Sequence, residues 1–255
     1  MKRLVFGLSS AASTAEEIRR AAEFPGFSFL ELPGGILDSP GLCEAAAAAG
    51  CEIEIRDLAD PSTFRKIAGG APPQLAEELQ RHFRRRLACA RRLNIRRFSI
   101  DPDFEAAAAD PDYAASAVRL LRILGSMLPM VMMRALRLRA RLPHGGGAGM
   151  PEPLWEFRKR LGLPTFGILC ELHPHEAGAF TAAERFLSRR GESGEWRISF
   201  EPAAGNRLTA APLRQLLAAA LPSAPEGVRV TFAPEPAAID TPLAAELQQL
   251  AQELG

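Results

Sequence analysis

Short apolar runs alternate with segments whose apolar residues recur at helical spacing, nearly from one end of the chain to the other. The runs that are typical of strands lie at residues 3–9, 27–33, 51–58, 96–103, 130–138, 166–172, 196–202 and 228–236. The segments of helical period lie at residues 13–22, 40–50, 72–94, 112–127, 151–162, 181–190, 211–221 and 243–254. Because each strand is followed by a helix, the pattern predicts a parallel sheet with helical crossovers.

Eight strand-helix units in 255 residues predict an α/β fold of the (β/α)8 TIM-barrel class, with residues 1–255 forming a single domain. The alternative is an open doubly wound sheet, which usually has fewer units and a glycine fingerprint that this sequence lacks. The third strand, residues 51–58, alternates isoleucine with glutamate and arginine. Strands covered on both faces are usually continuous apolar runs, so we expect this strand to be partly exposed.

Composition and charge narrow the function classes. The hydrophobic fraction of 47% and the charged fraction of 24% are those of an ordinary globular protein, so disorder is not expected. With 31 basic and 30 acidic residues, the chain has no global field that would attract nucleic acid. No run approaches the roughly 20 apolar residues of a membrane span, so we expect no membrane association.

The four cysteines are widely spaced and form no C-x-x-C pair, so the sequence indicates neither a zinc knuckle nor a redox dithiol. Four cysteines without a paired motif are most typical of a protein in the reducing cytoplasm. The first residues resemble a signal peptide, but a strand followed by a helix capped at Ser13 or Thr14 explains them equally well.

Ionisable residues follow nearly every predicted strand. In a TIM barrel the active site forms at the C-terminal ends of the strands, so these residues are the candidates for chemistry. They are Glu31, Asp57, Asp101, Asp103, Arg134, Glu171, His173, His175, Glu201 and Glu235.

Two of these strand ends resemble a known superfamily. FSFLELP, residues 27–33, is similar to the second strand of the xylose-isomerase-like barrels, and FGILCELHPHEAG, residues 166–178, resembles their sixth. This superfamily contains sugar isomerases and epimerases and also the family-two apurinic endonucleases. The resemblance extends over most of the chain in the order of elements and implies a barrel of that fold.

The resemblance also implies a metal site. Relatives hold a divalent cation with a glutamate ending strand five, an aspartate ending strand six, a histidine near strand seven and a glutamate ending strand eight. In this sequence Glu171 takes the aspartate position, and Glu171, His173 and His175 are the candidate ligands for zinc or manganese. Arg134, however, stands at the predicted end of strand five, where it would repel a cation. A bound metal and no metal are therefore equally compatible with the sequence.

Three functions follow from these candidates. The resemblance implies an isomerase or epimerase of a small sugar or sugar phosphate, which abstracts a proton beside a carbonyl. Its catalytic residues are Glu171 or Glu201 as base and Glu31 as the group that orients hydroxyls, and its substrate-binding residues are Arg134, His173 and Asp101.

The alternative is a catalytically inactive barrel that binds a small anionic ligand or a partner protein, and the choice between the two depends on Arg134. A metal-dependent endonuclease has the least support, since the four histidines are not placed to build a three-metal cluster. We expect Arg137, Arg139 and Arg141 to face solvent, and the sequence leaves the oligomeric state open.

Overall fold

The structure, a computed structural model, describes residues 4–104, 111–142, 152–174, 176–190, 195–200, 210–222, 227–234 and 249–254. Eight parallel strands form a closed barrel in which each strand pairs with the next along the chain and the eighth pairs with the first. The predicted (β/α)8 barrel is therefore confirmed.

The strands are β1 (Leu4–Ser9), β2 (Phe29–Pro33), β3 (Glu52–Arg56), β4 (Arg97–Ile100), β5 (Arg137–Leu142), β6 (Phe166–Leu172), β7 (Glu195–Phe200) and β8 (Val228–Pro234). The helices are α1 (Ala15–Ala22), α2 (Pro40–Ala47), α3 (Pro61–Ala68), α4 (Pro73–Arg92), α5 (Tyr113–Met132), α6 (Glu152–Leu161), α7 (Ala179–Arg190) and α8 (Ala210–Ala220). A 3-10 helix spans Gly34–Asp38, between β2 and α2. The sequence pattern predicts neither this element nor α3.

Helix α1 begins at a capping box, as the sequence indicates. The Thr14 hydroxyl accepts a hydrogen bond from the backbone N–H of Glu17, and the Glu17 carboxylate accepts one from the backbone N–H of Thr14. The cap is thus Thr14, and the two bonds satisfy N–H groups that the first helical turn cannot pair internally.

The predicted position of strand five is wrong. Helix α5 continues through Met132 with Pro129 inside it, and β5 begins only at Arg137. Met127, Met130 and Val131 continue the buried apolar stripe of this helix, whereas Met132 and Met133 are exposed. Arg134 therefore lies in the connection that enters β5, at the opposite end of the barrel from the C-terminal mouth, and its guanidinium donates a 3.0 Å hydrogen bond to the Met130 carbonyl.

The expectation that Arg139 and Arg141 face solvent is also wrong. Residues Leu138, Ala140 and Leu142 of β5 join the apolar layer beneath the helices, and the arginines that alternate with them point into the barrel. Arg139 contacts Glu195 of β7 at 2.6 Å. Because β5 and β7 are not neighbours in the barrel, this ion pair crosses its interior.

Strand β3 is partly exposed, as expected, because Glu52 is exposed and Glu54 and Arg56 are only half-buried, but its alternation follows the same rule as that of β5. Ile53 and Ile55 are buried in the apolar layer, while Glu54 points inward and reaches Arg229 of β8 at 2.6 Å. TIM-barrel interiors are usually filled by branched apolar side chains. Here the alternation of charged and apolar residues marks the side of the strand that faces the barrel axis.

Among the described residues, α5 is the one helix whose length and apolar composition would allow it to cross a membrane, because an 18-residue segment of it has a mean hydropathy of 1.4. Half of that segment is buried inside the protein. Its apolar side packs in the barrel's outer layer, which is the ordinary reason for such a composition in a core helix.

Candidate functional site

Charged side chains fill the barrel interior in two layers. The layer nearer the N-terminal ends of the strands is here called the lower cluster and comprises Glu54, Arg97, Arg139, Glu195 and Arg229. The layer at the C-terminal ends is called the mouth cluster and comprises Glu31, Arg56, Asp57, Asp101, Arg141, Glu171 and Arg197.

The lower cluster is closely packed. Arg139 donates two hydrogen bonds to Glu195, of 2.6 and 2.7 Å, and Arg97 adds a third of 2.9 Å. Burial raises the pKa of Glu54 to about 7, because the charges of Arg229 and Arg97 only partly offset the loss of solvent. The adjoining cavity has a volume of about 20 Å³, which is room for about one water molecule. This layer is part of the core rather than a ligand site.

Arg197 of β7 is the centre of the mouth cluster. Its Nε donates a 3.0 Å hydrogen bond to the Glu31 carboxylate, and its Nη1 forms an ion pair with the Glu171 carboxylate. The hydroxyls of Ser9 and Ser199 lie 3.3 and 2.7 Å from the same guanidinium. Arg197, Glu31 and Glu171 are almost fully buried, so this network links β1, β2, β6 and β7 away from solvent.

Arg141 of β5 extends the network toward β3 and β4. Its Nη2 lies 3.0 Å from an Asp101 oxygen and 3.4 Å from an Asp57 oxygen, and its Nε lies 3.4 Å from Glu171. Burial alone would lower the pKa of Arg141, but the three carboxylates outweigh it and raise the pKa. Glu171 thus contacts two guanidinium groups.

These contacts determine the charge state of Glu171. Burial alone would raise the pKa of its carboxyl group, but the charges of Arg197 and Arg141 and a hydrogen bond from Ser199 hold it below its ordinary value. The group is therefore an ionised, hydrogen-bonded carboxylate that is a weak base.

The residues around Glu171 do not fit a divalent cation. A metal bound there would stand beside two guanidinium charges, which repel it and already satisfy the carboxylate oxygens. Within the described ranges, no group of three or more histidine, cysteine, aspartate or glutamate side chains is arranged to hold a metal.

Asp57 differs from Glu171 in its exposure and in the direction of its pKa shift. It follows β3 with a φ of 49°, a left-handed conformation that is uncommon for a residue other than glycine. Burial raises the pKa of its carboxyl group, and the charges of Arg141 and Arg56 offset this only in part. Its side chain remains 24% exposed at the mouth. Asp57 is thus a reachable carboxyl group with an elevated pKa.

The backbone of Asp57 is fixed from the outside of the barrel. Arg86 of α4 donates hydrogen bonds to the carbonyls of Asp57 and Leu58, at 3.3 and 2.9 Å, and pairs with Asp38 of the 3-10 helix. Gly34 packs so closely that a Cβ atom there would lie 2.4 Å from the Asp57 carbonyl oxygen. Helix α4 and the 3-10 helix therefore hold the unusual backbone of Asp57 in place.

Of the residues singled out from the sequence, Glu31, Asp57, Asp101 and Glu171 lie together in the mouth cluster, while Asp103 pairs with Arg65 at 2.6 Å. His173 follows β6, close enough for its charge to lower the pKa of Glu171. Arg134 lies at the other end of the barrel. Three further candidates lie outside the described residues: His175, Glu201 and Glu235.

Sequence reasoning missed the two arginines that organise the mouth, Arg141 and Arg197. The signal that identifies them is the period of two. In β7, Trp196 and Ile198 are buried in the apolar layer, so Arg197 and Ser199 face the barrel axis.

A larger cleft of about 330 Å³ lies beside the mouth. Its walls are the loop that follows β6 and the two helices α7 and α8. Its polar lining includes Glu176, Thr181, Glu184 and Gln215, and Gln215 donates a 2.7 Å hydrogen bond to Glu184. None of the mouth-cluster residues line it. It is large enough for a small molecule but separate from the buried ion pairs.

Comparison with solved structures identifies similar folds. A D-tagatose 3-epimerase-like protein matches with a TM-score of 0.71 and 14% identity, covering 100% of this chain and 97% of its own. A 3-keto-D-glucoside 4-epimerase from E. coli matches with a TM-score of 0.69 and 12% identity, covering 98% of this chain and 100% of its own.

A family-two AP endonuclease from Brucella melitensis matches with a TM-score of 0.63 and 14% identity, covering 99% of each chain. No family model and no curated protein matches the sequence. The chain thus has the fold of the xylose-isomerase-like barrels, which confirms at the level of the fold the resemblance that the strand ends predict.

Proposed function

We propose that this protein binds a small, uncharged sugar at the C-terminal mouth of its barrel, and that it does so without a divalent metal. The observation that carries the proposal is the pairing of Glu171 with Arg197 and Arg141. The charge that a metal would supply at this carboxylate is supplied by the protein itself, so the mouth can hold a polar ligand without a cation.

The balance of charges favours a neutral ligand over an anion. The mouth cluster has four carboxylates, Glu31, Asp57, Asp101 and Glu171, against the three guanidinium groups of Arg56, Arg141 and Arg197. A phosphate or carboxylate ligand would add to the excess of negative charge. The arginine on which the anionic alternative rested, Arg134, is far from the mouth.

The groups that reach the surface of the cluster suit sugar hydroxyls. The side chains of Arg56 and Asp57 are 21% and 24% exposed, with 3.7 Å between the nearest guanidinium nitrogen and carboxylate oxygen. A hydroxyl group both donates and accepts hydrogen bonds, so it can bridge such a pair. The sugar epimerases among the structural neighbours share the fold and support the same class of ligand.

A second candidate function is sugar isomerisation or epimerisation, and the specific observation that favours it is the raised pKa of Asp57. A general base works best when its pKa approaches the working pH, which makes Asp57 better suited than Glu171. In this reaction Asp57 removes a proton from the carbon beside a carbonyl, and Arg141 stabilises the negative charge that develops on the oxygen. Protonation of the same carbon by a donor on its other face gives the epimer. Protonation of the former carbonyl carbon by Asp57, with transfer of the adjacent hydroxyl proton to the carbonyl oxygen, gives the isomer.

One pair of measurements tests both functions. The purified chain is incubated with D-tagatose or D-psicose in D2O that contains a chelator. Saturation-transfer NMR detects binding, and loss of the proton signal beside the carbonyl detects proton abstraction. We expect binding by the wild type in the presence of the chelator, and we expect Asp57→Asn to abolish any exchange. The control is Asp103→Asn, because this neighbouring carboxylate is paired with Arg65 at 2.6 Å and should leave both signals unchanged.

Binding without exchange supports a sugar-binding protein, and binding with exchange that depends on Asp57 supports the enzyme. Failure to bind any of a panel of ketoses and aldoses contradicts the proposal. Binding that appears only when the chelator is replaced by manganese or zinc contradicts its metal-independent form.

A further inference from the structure

Two cysteines from different helices lie in contact. Cys43 of α2 and Cys89 of α4 are separated by 46 positions in the sequence, and their Sγ atoms are 3.3 Å apart. Both residues are buried, with 8% and 9% of their surface exposed. The Cys43 thiol also lies 3.4 Å from the carbonyl oxygen of Ile36, to which it can donate a hydrogen bond. The widely spaced cysteines of the sequence thus include one close pair.

We propose that Cys43 and Cys89 are a site of oxidative modification, at which a hydroperoxide converts the two thiols into an intramolecular disulfide. A disulfide places its sulfur atoms about 2.05 Å apart, so the pair must approach by little more than about 1 Å. Side-chain rotation within the two packed helices can supply a movement of that size. The other two cysteines, Cys51 before β3 and Cys170 in β6, lie elsewhere in the barrel.

The reaction balances with one molecule of hydrogen peroxide. The thiolate of one cysteine attacks a peroxide oxygen, which gives a sulfenic acid and, after proton transfer, water. The second thiol attacks the sulfenic sulfur and displaces a second water as the S–S bond forms. Two thiol hydrogens are lost, the two sulfur atoms are oxidised, and the peroxide is reduced to two molecules of water.

The position of the pair connects it to the mouth of the barrel. Arg86 lies three residues before Cys89 on α4, pairs with Asp38 at 2.5 Å, and holds the carbonyls of Asp57 and Leu58. Asp38 and Ile36 belong to the 3-10 helix that precedes α2. A disulfide would therefore join the two elements that fix the backbone of Asp57, α4 and the segment that contains the 3-10 helix and α2.

The oxidation is expected to be slow. Burial and the neighbouring Cys89 raise the pKa of the Cys43 thiol to about 12, so little thiolate is present at neutral pH. The experiment therefore follows the reaction to its end point rather than its initial rate.

The test uses the full chain, fully reduced, freed of reductant and exposed to hydrogen peroxide. We expect two of the four thiols to disappear, the mass to fall by two hydrogen atoms, and non-reducing peptide mapping to recover a Cys43–Cys89 linkage that dithiothreitol reverses. The melting temperature of the oxidised chain should rise by several degrees, because the cross-link constrains the unfolded chain.

Control variants separate this pair from general thiol oxidation. Cys43→Ser and Cys89→Ser should each abolish the linkage, while Cys51→Ser should leave it unchanged. Retention of all four thiols after prolonged exposure overturns the proposal. So does the recovery of linked peptides that contain Cys51 or Cys170, or the oxidation of Cys43 or Cys89 to a sulfinic acid without a linkage.

Discussion

Replacing Arg197 with methionine should lower the free energy of unfolding by about 3–5 kcal/mol, as expected when one partner of a buried ion pair is removed. Methionine keeps most of the side-chain volume but leaves Glu31 without the guanidinium that donates to it at 3.0 Å, and leaves Glu171 with one guanidinium partner, Arg141, instead of two. Such a loss is a large part of the roughly 5–15 kcal/mol by which proteins are stable. Urea unfolding at neutral pH, followed by circular dichroism, measures it.

The matched control is Arg65→Met. Arg65 also pairs with a carboxylate, Asp103, at 2.6 Å, but its side chain is 66% exposed, and such pairs contribute at most about 1 kcal/mol. A double replacement of Arg197 and Glu171 should cost less than the sum of the single ones, because the charge left unpaired is removed with its partner. If Arg197→Met lowered the free energy of unfolding by no more than Arg65→Met does, that result would contradict a stabilising role for the mouth-cluster ion pairs.

Acid should weaken the same network in the wild type. The pKa of Glu171 in the folded protein lies below its ordinary value of 4.5, so its stabilising contribution is fully present above that pH. The contribution is lost as the pH falls through the lower, folded-state pKa. As the pH falls below about 4.5, the free energy of unfolding of Arg197→Met should therefore decrease less than that of the wild type.

Replacing Gly34 with alanine is the second change for which we expect a large effect. The added Cβ would lie 2.4 Å from the Asp57 carbonyl oxygen and 2.8 Å from the Arg86 guanidinium, and a backbone atom cannot rotate away. Overpacking of this kind typically costs about 1–3 kcal/mol. Because the displaced residue is Asp57, the variant should also lose sugar binding.

Gly35→Ala is an adjacent control in the same 3-10 helix. Nothing lies within 4 Å of the Cβ position of Gly35, so its replacement should change stability by less than about 0.5 kcal/mol. Thermal unfolding and saturation-transfer NMR on the two variants, side by side, measure both effects. Equal behaviour of the two variants would show that the contact between Gly34 and Asp57 does not support the mouth.

The fold was largely predictable because its signals are local. The alternation of strands and helices follows from the spacing of hydrophobic residues along the chain, and the capping box of α1 involves two residues that are three positions apart. The error at strand five arose because the apolar residues 130–133 suit a strand as well as a helix end. The actual strand, RLRARL, is polar at every second position, which sequence reasoning attributed to solvent exposure.

The candidate site was predictable only in part. The carboxylates Glu31, Asp101 and Glu171 follow apolar runs, so their position at strand ends could be inferred from the sequence. The partners of Glu171 could not, because Arg141 and Arg197 lie on the neighbouring strands β5 and β7, and the pairing register that brings them beside the carboxylate is not visible in the sequence. Their inward direction also contradicts the usual apolar filling of a barrel.

Guanidinium groups of the protein take the place of a cation at Glu171 in the proposed site, so metal binding is the decisive measurement. Chelator-treated protein is titrated with manganese and with zinc by calorimetry, and its melting temperature is recorded in parallel, because a ligand that binds the folded state raises it. We expect neither binding heat nor stabilisation at micromolar metal. Stoichiometric binding that Glu171→Ala abolishes would contradict a metal-independent site.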